Sequence, residues 1–423
     1  MKKTSILVLL LLATVKLYAA ESEPPSLALA QAEEIALANA PELSQLRHNI
    51  TALQEAAIAA GQMTDPTFFL GLINVPVDTF SLVQDEMTQI KFGVAQAFPK
   101  GKSLKLQSTQ KNYEAQAEEM RFLDSGATIV LTVRNLWLDI YYWTQTAKIV
   151  AKNKTSYEYL VQITESMLAA GKNKQYDVLQ AQLELSRVQN RQIEIQQEIA
   201  MARAQLTRWL GEKYASLPLP TELPTLKPLS EAAELQRLLQ QHPLLKANTS
   251  TIAANQTEVA LAQEQYKPGF VFGIGYGLRN GHFSMGNIPG PRRYDLISFD
   301  LGIDLPVFPR RRQDKELAAT LALLKASEDA QSLNYRELKS QLDQQQAIWR
   351  QLAAQETLYQ QQLVPESRQY TKASITAYQN GQAEFLNVVQ AYNENLETQI
   401  QYLKIKVDQK KTRAALLYLE GET

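Results

Sequence analysis

The 423-residue chain carries 43 Lys and Arg, 44 Asp and Glu, three His and no Cys. A formal charge of −1 excludes a general nucleic-acid binder, which would show a basic surplus. The missing Cys excludes disulfides, thiolate catalysis, iron–sulfur clusters, Cys-based zinc sites and Cys-linked lipid anchors.

Residues 1–20 read as a signal peptide. Lys2 and Lys3 form a charged start, Ser5 to Val15 an apolar run, and Ala19-Ala20 a small-residue cleavage site before Glu21. The run is short for a membrane span and is followed by Lys16. The expectation is an exported chain with no helical membrane anchor.

The rest of the chain contains itself twice. Asn39-Ala40-Pro41 and Pro66 match Gln241-His242-Pro243 and Pro268, with both proline pairs 25 residues apart. Ala97-Phe98-Pro99-Lys100 matches Val307-Phe308-Pro309-Arg310, and Gly171 with Gln180-Ala181 matches Gly381 with Gln390-Ala391, at an offset of 210. The first match has an offset of 202, so the second copy carries a longer loop between Pro268 and Pro309. A period this long is a duplicated domain-sized unit and not a solenoid.

The first repeat, 21–216, reads as helix, strands at 66–77 and 88–98, a very long helix, then a shorter one. No proline interrupts Pro99 to Pro218. A helix from near Lys102 to near Ala169 would be roughly 100 Å long. Its apolar positions are sparse: Ile129, Val133, Leu136, Trp137, Ile140, Ala147 and Val150. Residues 217–229 form a Pro-rich connector, expected as an irregular layer around the helices. The second repeat, 230–423, repeats the order with strands at 269–279 and 295–306. Phe270, Phe272, Ile274, Tyr276 and Leu278 alternate with glycines and Val271, and Ile297, Phe299, Leu301 and Ile303 alternate with Ser298, Asp300, Gly302 and Asp304. This period-2 pattern gives one apolar face and one polar or small face, at the length of a membrane β-strand. The last helix has a narrow seam, Val389, Tyr392, Leu396, Ile400, Leu403 and Val407, suited to a tube wall or coiled coil.

Four strands cannot close a barrel, and an open sheet in lipid leaves backbone groups unsatisfied. If the strands span a membrane, several chains must share one barrel. Ser298, Asp300 and Asp304 are then expected to line its lumen. Acid–base chemistry at Asp300 and Asp304 is a poor alternative without a cleft. His48, His242 and His282 show no ligand spacing, and the Arg279–Arg293 loop with Met285 reads as a surface loop. No catalytic, cofactor or metal site is expected. Lys100-Gly101-Lys102 and Arg310-Arg311-Arg312 follow strands and mark an expected bilayer boundary.

Two segments then carry a family resemblance. They are Ala170-Gly171-Lys172-Asn173-Lys174-Gln175-Tyr176-Asp177-Val178-Leu179 and Asn380-Gly381-Gln382-Ala383-Glu384-Phe385-Leu386-Asn387-Val388-Val389. With the strand exits at 96–102 and 305–309, they resemble the TolC-type outer-membrane channel family over essentially the whole mature chain. Asn74-Val75-Pro76-Val77-Asp78 and Pro99-Lys100-Gly101-Lys102 look more like its heavy-metal efflux branch. The resemblance implies a mainly α fold with a small β part: a duplicated unit of long coiled-coil helices forming a periplasmic α-barrel. Four strands per chain enter a trimeric 12-stranded outer-membrane barrel.

It further implies a homotrimer in outer-membrane lipid that passes cargo from an inner-membrane pump of resistance–nodulation–division type through a periplasmic adaptor. Heavy-metal cations are the leading cargo, with multidrug efflux or type I secretion as alternatives, and a non-pore periplasmic coiled-coil scaffold as the competitor from another class. The tips at Gly171, Lys172, Asn173, Gly381, Gln382 and Ala383 are expected to dock the adaptor. By the same resemblance, Asp177 and Tyr378 close the periplasmic gate, where Asn387 and Gln390 replace the acidic ring of the multidrug prototype. Asp177 and Asn387 are also expected to cap the returning helices.

Overall fold

The computed structural model describes residues 26–172, 174–286 and 288–422; residues 1–20, expected to be a signal peptide, and Asn173 lie outside the described residues. The first repeat begins with α1 (Leu29–Asn39) and α2 (Pro41–Ala60). They are separated at Ala40, which a following proline forces into the extended region (ψ 111°), while Pro41 starts the next helix. Strands β1 (Thr67–Ile73) and β2 (Gln89–Phe98) follow, then α3 (Ser103–Ala169), α4 (Gln175–Leu210) and the single turn α5 (Glu212–Ala215).

The second repeat has α6 (Ala232–Leu239) and α7 (Pro243–Glu264), with His242 extended before Pro243 as Ala40 is before Pro41. It continues with β3 (Gly269–Leu278), a small hairpin of β4 (His282–Met285) and β5 (Ile288–Arg292), and β6 (Leu296–Asp304). The long helix is α8 (Gln313–Leu358), a π-helical turn (Tyr359–Leu363) and α9 (Val364–Gln379); α10 (Phe385–Leu419) returns. Residues 313–379 repeat the 67-residue length of α3 at the offset of 210.

Three details depart from the sequence reading. The strand expected at 66–77 ends at Ile73, because Asn74 turns to φ +57° and Pro76 has no N–H to offer a ladder. The loop expected at 279–293 contains the β4–β5 hairpin, turned at Gly286 (φ +63°), while the extra length of the second repeat lies mostly in the longer β3 and the longer segment between β6 and the next helix. The second long helix is not uniform: Pro365 lacks an N–H and crowds the carbonyl four residues earlier, and the helix widens to a π turn there.

The four long strands form one antiparallel sheet in the order β1-β2-β3-β6, so the hairpins of the two repeats lie side by side and β1 and β6 are open edges. The core is divided along the helices. One cluster surrounds Trp137, whose indole N–H donates to the Leu27 carbonyl at 2.9 Å and whose ring stacks on Tyr141. A second runs toward the helical tips through Val150, Tyr157, Leu160, Val388 and Leu396, so the α10 seam packs on α3. A third holds Leu239, Leu342 and Leu416.

The connector packs on the first cluster: Leu226 is buried, Leu27 N–H donates to the Pro218 carbonyl at 2.8 Å, and the Tyr141 hydroxyl donates to the Thr221 carbonyl at 2.9 Å. Arg134 ties the ends of the described chain together. Its guanidinium meets Glu33 at 2.7 Å and Glu422 at 3.1 Å. Burial works against that charge, but the Glu33 and Glu422 hydrogen bonds and charges outweigh it and raise the Arg134 pKa.

Candidate membrane sheet and helical tips

The register places most of the large apolar strand residues on one face, with Phe69, Ile73, Val271 and Leu296 on the other. Phe68, Val94 and Ile274 stand across from one another, as do Leu70, Phe92 and Tyr276. Phe272 opposes Leu301 and Ile274 opposes Phe299 on β6. A water-soluble fold would cover this face, yet it is open: Phe299 is 80% exposed and Leu70 68%. Phe92 with Tyr276 and Phe98 with Phe272 make ring contacts at 5.7 Å along it.

On the opposite face lie the β3 glycines, Gln89, Lys91, Ser298, Asp300 and Asp304. Gly269, Gly273 and Gly275 stand opposite Asp304, Asp300 and Ser298. The three residues expected to line a lumen therefore share the face turned away from the apolar one. No helix among the described residues is long and apolar enough to cross a membrane.

Beyond the sheet, the two arginines that bound the expected surface loop, Arg279 and Arg293, join the 74–88 loop to the hairpin. Arg293 donates to the Asp85 carbonyl at 2.8 Å and to Asn280 at 3.2 Å, and Arg279 donates to the Glu86 carbonyl. Both are buried; their only sequence signal was flanking the expected loop. At the other end of the strands, Lys100 pairs with Asp304 at 3.4 Å, and Arg310 and Arg311 sit in an exposed single turn.

The helical tips are two copies of one turn. Gly171 takes φ +66° and Gly381 φ +69°. Lys172 N–H donates to the Met167 carbonyl at 2.9 Å, and Gln382 N–H to the Ala377 carbonyl at 2.8 Å. These six-to-one bonds close each helix in a left-handed cap that glycine adopts most readily. Added Cβ atoms would meet nothing within 4 Å, so backbone conformation and not packing calls for glycine.

The expected capping roles are corrected. The N-caps of α4 and α10 are Lys174 and Glu384, neither with a side-chain cap bond, and Asp177 and Asn387 fall in the first turns that follow. Extended backbone at Lys174 and Glu384 sets these helix starts three residues earlier than the capping reading required. Asp177 still places a carboxylate beside the free N–H groups of its helix start.

The two tips flank one groove of about 600 Å³, lined by Gly171, Lys172, Asp177, Tyr378, Gly381 and Ala383 among others. Tyr378 is buried, with its ring 5.4 Å from Phe385. Burial raises the Asp177 pKa and the Glu384 charge adds to this, while Lys174 opposes it. Asn387 and Gln390 are not in the groove. Both are exposed on α10, and the Gln390 amide donates to Glu394 at 3.1 Å. Gln382 is exposed at the turn. His242, which shows no ligand spacing in the sequence, is buried between Tyr418 (rings 5.0 Å apart) and Asp124 (3.8 Å), and its Nδ1 accepts from Leu244 N–H at 3.3 Å.

A sheet with one uncovered apolar face, carried on long helices with small segmented cores, is the architecture of a membrane-inserting stalked protein. The outer membrane efflux protein family model matches residues 33–212 and 235–422, once per repeat, and the chain belongs to that family of channel proteins. Among solved structures, CusC is 16% identical with TM-score 0.79, over 95% of this chain and 93% of that one. The outer membrane protein VceC of Vibrio cholerae is 18% identical with TM-score 0.78, over 93% and 96%. The MtrE outer membrane channel of Neisseria gonorrhoeae, in its open state, is 13% identical with TM-score 0.73, over 93% and 88%. These identities establish a shared fold. No curated protein sequence matches the chain.

Proposed function

We propose that the chain is the outer-membrane exit duct of a tripartite efflux system. Three copies pool their four-stranded sheets in one barrel, and their helices extend it into the periplasm as a tube about 100 Å long. The observation that carries this is the sheet: one apolar face in the open, one polar face opposite it, and unpaired edges at β1 and β6. In lipid those edges are satisfied only by further strands.

The tip turns at Gly171–Asn173 and Gly381–Ala383 dock a periplasmic adaptor, which links the duct to an inner-membrane pump of resistance–nodulation–division type. Asp177 and Tyr378 hold the entrance closed, and their shared groove supports that role. Asn387 and Gln390 leave the α10 face without an acidic ring. Heavy-metal cations are the proposed cargo, supported by the resemblance at residues 74–78 and 99–102.

Purified assemblies in planar bilayers test the duct: they should conduct, and Asp177→Ala with Tyr378→Phe should raise single-channel conductance. A water-soluble, non-conducting protein would sink the proposal, and unchanged conductance would assign the gate elsewhere. For cargo, co-expression with the native pump and adaptor should restore growth on metal salts, whereas restored growth only on drugs would reject the metal assignment.

A further inference from the structure

The polar face of the sheet is internally charge-balanced. Within the four strands the only charged residues are Lys91, Asp300 and Asp304, and Lys100 follows β2 after two residues. They form two ion pairs, Lys91 with Asp300 at 3.2 Å and Lys100 with Asp304 at 3.4 Å. Both pairs run from the β2 side to β6, across the whole width of β3.

They can do so because β3 presents glycine on this face. The register partner of Lys91 is Gly277, and that of Asp300 is Gly273. Lys91 slants between them over Gly275, where an added Cβ would lie 2.7 Å from its Cε and 2.9 Å from Ser298 Oγ. The Phe69 ring of β1 flanks the ammonium at 5.6 Å. The glycine track thus keeps a long cationic side chain flat against the sheet and delivers it to a carboxylate two strands away.

We propose that Lys91 and Asp300 set the ion selectivity of the duct's barrel: neutralised against its wall, they let anions and cations pass with similar ease. This rests on the reading above, that the polar face lines the lumen of a shared barrel. Each chain would repeat the pair, so removing Lys91 leaves a ring of uncompensated carboxylates, and removing Asp300 leaves a ring of ammonium groups. A ring of one sign inside a low-dielectric wall concentrates its counter-ions. The glycines serve the same end, since flattened side chains leave the bore wide.

The test is the reversal potential of purified, bilayer-reconstituted protein under a KCl gradient. Lys91→Gln should raise the potassium-to-chloride permeability ratio about threefold or more over wild type, and Asp300→Asn should lower it by a similar factor. The double variant restores the balance of charge and should return to the wild-type ratio, as should the exchanged pair, Lys91→Asp with Asp300→Lys. Conducting single variants with an unchanged ratio, or with shifts of one sign, would overturn the proposal. So would single variants that no longer assemble, because the pair would then be structural. Failure of the underlying reading shows differently, as a wild-type protein that does not conduct at all.

Discussion

Neighbouring residues on β6 should respond oppositely to one substitution. Leu301 lies on the apolar face opposite Phe272, 57% exposed, and Gly302 lies on the polar face between Asp300 and Asp304. An arginine facing lipid near mid-depth costs about 2–4 kcal/mol, so about 6–12 kcal/mol for three chains in one barrel. Leu301→Arg therefore leaves the unassembled chain almost unaffected, because the site is already open to water, and the penalty falls on insertion. Gly302→Arg meets no such penalty. Its new Cβ would lie 3.6 Å from Val271 Cβ, an ordinary contact, and its guanidinium gains two carboxylate neighbours. The assay pairs helix content by circular dichroism with the fraction of protein recovered as membrane-inserted oligomer. Leu301→Arg should keep its helices and lose insertion by about tenfold or more, and Gly302→Arg should insert like wild type. Equal insertion of both, or equal failure, would refute the assignment of faces.

Other consequences follow from single contacts. Gly171→Ala should destabilise the tip by about 1–2 kcal/mol, because alanine is strained at φ +66°, with faster hydrogen exchange confined to the turn. Asn at that position should lose less. Arg134→Met removes the cation from Glu33 and Glu422 and should lower stability by about 3 kcal/mol in denaturant titrations.

Burial lowers the His242 pKa, with Asp124 and the Tyr418 backbone opposing only in part. A histidine held neutral in the fold adds stability that is present above its unfolded pKa of about 6.5 and is lost as pH falls through the lower folded value. The thermal midpoint should thus drop as pH falls below about 6.5, and His242→Asn should flatten that window. Asp177 carries the opposite sign. Its raised pKa gives stability that is present below the usual aspartate range near 4 and is lost as pH rises through the folded value.

Much of this architecture was legible in the chain because it is written in period and punctuation. Pro41 and Pro243 start helices, Gly171 and Gly381 turn them, and the alternation from Phe270 to Leu278 and from Ile297 to Ile303 fixes one face of a sheet. The less visible parts depend on tertiary neighbours. Nothing local to Lys91 announces that it reaches Asp300, because that contact requires the register of β2 on β3 and the empty glycine face between them. The Arg134 pairs join residues far apart in sequence. Asp177 and Asn387 looked like caps by residue type, but the helix starts are set by extended backbone at Lys174 and Glu384. Two features do have local signals: Gly286 at the turn of the β4–β5 hairpin, and Pro365 at the disturbance in the second long helix.

The central claim is that three chains complete one barrel. Native mass spectrometry of the detergent-extracted protein tests it most directly. It should give a single species of three chains that persists on dilution. A stable monomer, or an assembly whose count is not a multiple of three, would contradict it.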